Sequence, residues 1–122
     1  MNDTAANLVA LLFLARDLTH RAHLKTNSYA QHIALNEFYD AIVGLADTFA
    51  ETYQGMKGII ANIPLADATG TGDIIAVLKQ QVEWIETNRS DFASNQERPL
   101  QNIIDEICGQ YYSTLYKLEN LK

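Results

Sequence analysis

Three interruptions divide this chain into four segments of helical period, and their unequal lengths constrain how the segments can pack. Thr26-Asn27 parts the first two segments with almost no connecting chain, and Ser94 to Arg98 parts the last two. Between the pairs, Met56 to Gly72 (MKGIIANIPLADATGTG) holds Pro64, three of the six glycines and no sustained period. Such a segment reads as a crossover loop carrying at most one short turn of helix.

Each helical segment has its own start and stop signals. Apolar residues at 8, 11, 12, 15 and 18, with Asp3 or Thr4 as cap, predict a first helix over 4–25. Ser28 followed by Gln31 is a capping-box pattern, and a second helix follows through Ile33, Ile42, Val43, Ala46, Phe49 and Ala50 to Gln54, where Gly55 and Gly58 stop it. Asp73 can cap a third helix, whose Ile74, Val77, Leu78, Val82 and Ile85 continue to about Phe92. Pro99 suits the first turn of a fourth, with Leu100, Ile103, Ile104, Ile107, Tyr111, Leu115 and Leu118 on one face. Two helical hairpins joined by one long crossover predict an all-α, ferritin-like four-helix bundle.

Length and composition fit that architecture. A chain of 122 residues is one domain, 1–122, and can bury roughly two-thirds of its unfolded surface. Its 48% apolar and 20% charged content is that of a globular chain rather than a disordered one. The longest apolar run, LVALLFLA at 8–15, falls well short of the ~20 residues of a membrane span. A single cysteine, Cys108, allows no intrachain disulfide, and no segment has the pattern of a secretory signal, so a reducing cytoplasm is expected. Fifteen acidic against nine basic residues give a net charge of −6, which disfavours binding to a phosphate backbone. The same acidity suits cation handling or plain solubility.

Every histidine lies in HRAHLKTNSYAQH: His20, His23 and His32. On the second helix His32, Asn36, Asp47 and Glu51 share one side, because successive residues advance by about 100°. At ~1.5 Å per residue, however, His32 and Asp47 are roughly 22 Å apart along the axis, far beyond the reach of one cation with bonds of about 2 Å. One chain cannot close such a site. Antiparallel pairing of two copies about a two-fold axis would bring His32 of one opposite Asp47 and Glu51 of the other, at two equivalent places. Within a chain, His20 and His32 lie equally far from residue 26, and His23 and His32 straddle 27.5, so either pair can share a level in the hairpin. Two imidazoles and two carboxylates suit Fe(II), Zn(II) or Mn(II). The competing reading is that these are solvated polar residues of a helix surface.

The stretch from His20 to Glu51 resembles the Dps proteins, small ferritin-like iron-oxidising shells. His20, eleven residues, His32, fourteen residues, Asp47, three residues and Glu51 match that family's ferroxidase pattern without a gap, and DTFAE at 47–51 has its Asp-x-x-Ala-Glu form. The resemblance implies iron as the bound metal, histidines from one subunit facing acids of its two-fold neighbour, and oxygen or peroxide as the electron acceptor. It implies self-association as a dimer or a larger assembly. Helix-four residues YYSTLYKLENL extend the likeness, to about half of the chain. Arg21 stands where the family has tryptophan, Asn36 where some members have an acid, and the basic DNA-binding tail is absent. The chain is also similar to small, often phage-encoded, ferritin-like proteins with His-x-x-His-x-x-Thr (here His20, His23, Thr26) and Tyr-Gln-Gly (here Tyr53 to Gly55), in which His23 would matter as much as His20.

Other chemistries find less support. The third and fourth helices hold no histidine, so the Glu-x-x-His pairs of carboxylate-bridged di-iron bundles are excluded. Cys108 reads as a buried thiol, and Trp84, Tyr111, Tyr112 and Tyr116 as packing residues or interface anchors. GTG at 70–72 lacks the lysine of a phosphate loop and reads as a helix entry. No catalytic residue is expected apart from the metal ligands themselves. The alternative function is a metal-free helical module that acts by dimerising or binding another protein.

Overall fold

The computed structural model describes residues 4–68 and 72–122, and these form α1 (Thr4–Lys25), α2 (Tyr29–Lys57), α3 (Ile74–Phe92) and α4 (Arg98–Asn120), with no strand among them. The cap candidate Asp3 and most of the GTG segment lie outside the described residues.

The helix ends follow from local chemistry. Ser28 caps α2 by accepting the Gln31 N–H at 3.3 Å. The return half of the expected capping box runs through Thr26: the Ser28 N–H donates to Thr26 Oγ1 at 3.1 Å, and that hydroxyl donates to Gln31 Oε1 at 2.9 Å. Gly55 does not stop α2. The helix continues to Lys57 and ends at Gly58, whose φ of 103° is strained for any residue with a Cβ, and whose N–H donates to the Gln54 carbonyl. Asp73 caps α3 by accepting the Ile75 N–H at 3.1 Å, and Pro99 occupies the first turn of α4.

Side-chain pairs fix the directions of packing. Lys57 meets Glu97 and Lys117 meets Glu37, so α4 runs antiparallel to α2. Lys79 meets Glu119 and Arg89 meets Asp105, so α4 is antiparallel to α3 as well. Ile74 and Val77 at the start of α3 share a cavity wall with Lys25 and Gln31, at the end where α1 turns into α2. The chain therefore runs up, down, down, up, with neighbouring pairs α1·α2, α2·α4, α4·α3 and α3·α1. The crossover must travel the length of α2, ~43 Å for its 29 residues, and an extended chain over 58–73 reaches roughly 50 Å. Most of that reach is used by the span, and residues 58–68 contain no helical turn. Ile60 tucks against the core while Ile59 and Leu65 are exposed.

The core lies between the four helices: Leu8, Leu12 and Ala15 of α1; Leu35, Phe38, Ile42, Ala46 and Phe49 of α2; Leu78, Val82 and Ile85 of α3; Leu100, Ile104, Ile107 and Tyr111 of α4. Ile33 and Val43, expected inside, are 39% and 38% exposed. Each stands one residue from a core position, Ala34 and Ile42, and so about 100° round the helix from it. Tyr111 is fully buried, sets its ring edge-on to Phe38 at 5.0 Å, and donates its hydroxyl to Gln81 Oε1 at 2.8 Å. It thereby ties α4 to both α2 and α3.

Tyr111→Phe removes the donor and leaves a buried amide oxygen unpaired, so a loss of ~1–3 kcal/mol is expected in the urea unfolding free energy. Burial likewise pushes the Cys108 thiol up from 9.0 to about 12. Above pH 9.0 the unfolded chain releases this proton while the folded chain keeps it, so the stability held by the neutral thiol is lost as pH climbs from 9.0 toward about 12. Urea midpoints compared at pH 8 and pH 10 should fall further for the native sequence than for Cys108→Ala.

Candidate functional site

The tight turn at 26–28 folds α2 back along α1, so residues equally distant from it face each other. Arg16, His20 and His23 repeat at i, i+4 and i+7 on α1, and His32, Asn36 and Tyr39 do the same on α2. Both sets form stripes along their helices, and the hairpin brings the two stripes together.

His23 and His32 form the centre. The His23 Nδ1 lies 2.7 Å from the His32 carbonyl, and the His32 Nδ1 lies 3.0 Å from the His23 carbonyl. A carbonyl oxygen can only accept, so each Nδ1 carries the hydrogen and donates it. In the neutral ring this leaves Nε2 with a lone pair, the arrangement by which metal-ligating histidines are commonly oriented from behind. The rings stack at 3.6 Å with 21° between their planes. His23 is buried and His32 half-buried.

His20 belongs to the same cluster at one remove. Its ring stacks on Tyr39 at 4.3 Å and stands 6.0 Å from that of His23. Tyr39 also presents an edge to His23 at 5.3 Å and carries the Arg16 guanidinium 5.7 Å from its centroid. Its hydroxyl donates to Asn36 Oδ1, and the Asn36 amide donates to Asp40 at 3.3 Å. Tyr39 and Arg16 were not singled out from the sequence, although their i+7 and i−7 offsets from His32 and His23 were there to be read.

Of the five ligand candidates, the structure brings together His20, His23 and His32. Asp47 and Glu51 are exposed further along α2, separated from His32 by roughly 22 Å and 28 Å of helix at ~1.5 Å per residue. Among the described residues, no three ligating side chains converge tightly enough within one chain to hold a metal ion. Beside the histidines the outer surface of the hairpin is unusually apolar, with Phe13, Leu24, Tyr29, Ile33 and Val43 all exposed. Gly44 lies on this outer side of α2, and a Cβ added there would meet nothing within 4 Å.

Among the described residues, no helix is long and apolar enough to cross a membrane. Comparison with known proteins gives a similarity to the uncharacterised 14.6 kDa protein of the mobD-ri intergenic region of Enterobacteria phage T4, 29% identical over 116 residues, which cover 93% of this chain and 87% of that protein. No solved structure matches. A model of the family of unknown function DUF5856 matches residues 23–118, a span that holds His23, His32, Asp47 and Glu51, and the chain belongs to that family.

Proposed function

We propose that this protein is a ferritin-like four-helix bundle that self-associates through α1 and α2 and binds divalent iron at sites shared between two copies. His23 and His32 of one copy, with His20 close by, supply nitrogen donors, and Asp47 and Glu51 of the other supply charge-neutralising oxygens. The observation that carries this reading is the reciprocal pair of Nδ1 hydrogen bonds, which orients two stacked imidazoles from behind and, among the described residues, leaves each neutral ring's Nε2 as the nitrogen with the lone pair. The antiparallel hairpins and long crossover agree with a ferritin-type topology. The distance from His32 to the acids on the same helix requires a second copy. Iron is the substrate in this reading, and its oxidation by oxygen or peroxide is the activity; Zn(II) or Mn(II) would fit the same donors. The bound pair differs from the His20 and His32 combination that the Dps resemblance implies, because the turn is centred between Asn27 and Ser28 and sets His23 level with His32.

A second reading follows from the exposed apolar residues Phe13, Leu24, Ile33 and Val43. They support a dimerisation or protein-binding module that uses the same face without metal.

Addition of Fe(II) in air, followed by ultraviolet absorbance, separates the two: the native protein should speed oxidation over buffer, and His32→Ala or Asp47→Asn should reduce the rate at least about tenfold. A rate equal to buffer leaves only the metal-free module. Sharing across copies has its own signature. When His32→Ala and Asp47→Asn chains are unfolded together and refolded as a mixture, the mixed dimer regains one intact site of two. With half the dimers mixed, about a quarter of the native rate should return. Recovery of none would mean that His32 and Asp47 do not meet across copies and would overturn the shared site.

A further inference from the structure

The side opposite the histidines carries a different kind of surface. α3 and α4 pack side by side there, away from the α1/α2 hairpin, and leave a groove of about 510 Å³ floored by Val82 and Leu115. Its walls hold Tyr112, Tyr116, Glu83, Glu86 and Glu119, with Lys79 as the single cation. Tyr112 and Tyr116 are 50% and 60% exposed. Around the rim formed by Glu83 and Thr87 lies a second depression walled by Trp84, itself 37% exposed.

Most of the charges are already committed. Lys79 is held by Glu119 at 3.0 Å, so the groove's one cation is neutralised in place. Glu86 accepts from Arg89 at 2.9 Å and from the Tyr112 hydroxyl at 3.2 Å. Partial burial, then the negative charge of Glu86, hold the Tyr112 phenol above its ordinary range, so its ring stays neutral and electron-rich. Glu83 makes no ion pair or hydrogen bond to another described residue, and it stands between the two depressions. Aromatic faces beside an uncommitted carboxylate, over an apolar floor, are complementary to a cation on an aliphatic stem.

We infer that the α3/α4 groove is a docking site for a basic segment of another protein, with an arginine or lysine placed between Glu83 and the rings of Tyr112 and Tyr116 and apolar neighbours resting on Val82 and Leu115. The charge of the groove selects against nucleic acid, and its length along two helices suits an extended or helical peptide. The inference is independent of metal binding, since none of these residues lies on α1 or α2.

The chain's single tryptophan, Trp84, at the edge of the groove, reports occupancy directly. Titration of the full-length protein with a labelled peptide of alternating arginine and leucine should raise the label's anisotropy and shift Trp84 emission, whereas the same peptide with glutamate for arginine should do neither. Glu83→Lys and Tyr116→Ala should each weaken binding at least about tenfold, since opposite charge and cation–π contact are both removed. Glu106→Lys makes the same charge change on α4 outside the groove and should weaken binding less than about threefold. Equal losses for the two lysine variants, or no peptide binding, would overturn the inference. So would spermine binding that depends on Glu83 while the peptide fails to bind, because the site would then serve a small polyamine.

Discussion

The register of α2 against α1 is the constraint on which the candidate site depends. It is set by a turn without glycine. The backbone N–H of Ser28 bonds to the Thr26 hydroxyl, which in turn bonds to the Gln31 side chain, so the chain reverses within three residues and α2 starts at a fixed phase. A shift of one residue would turn His32 by about 100° and break the paired bonds with His23. The two histidines then reinforce the register. Each closes a bond onto the other helix's backbone near the turn, and for the His23 carbonyl, in the last turn of α1, the His32 ring replaces the intrahelical donor that a helix C-terminus lacks.

Much of the fold was legible because helices advertise themselves by period. The bounds of α1, α3 and α4 follow from Leu8, Leu12 and Ala15, from the Asp73 cap and from Pro99, each of which acts within one or two turns of its own position. Where the reading of α2 failed, the cause was geometric. A long helix packed against both α1 and α4 buries a broad arc, and Ile33 and Val43 sit just off it, so composition placed them inside while the lattice of neighbours placed them out. The choice between His20 and His23 as partner of His32 likewise depended on where the turn is centred, a difference of less than two residues that spacing alone left open. Nothing in a single chain's periodicity encodes what covers an exposed stripe.

The two sides of the molecule divide the chemistry between them. The α1/α2 side gathers all the histidines with exposed Phe13, Leu24, Ile33 and Val43. The α3/α4 side gathers Trp84, Tyr112 and Tyr116 with glutamates. Apolar residues alone would suit a lasting contact between like surfaces, which desolvate together, whereas rings edged by carboxylates suit a contact that is made and released. The opposed faces allow both to be occupied at once, because no helix contributes to both.

A site divided between copies, as proposed here, would make assembly and metal binding a single equilibrium. Asp47 and Glu51, one helical turn apart on an exposed surface, repel each other only weakly in water, but their mutual repulsion would grow once an apposed helix excluded solvent. A cation held against them by the partner's imidazoles would remove that cost. Its binding free energy would then add to the free energy of association, by an amount that rises with the logarithm of free metal concentration. The Nδ1 bonds would matter to this balance because they order the rings within the single chain. The entropy of fixing them is spent in folding the hairpin, and more of any coordination energy would be left to hold two copies together.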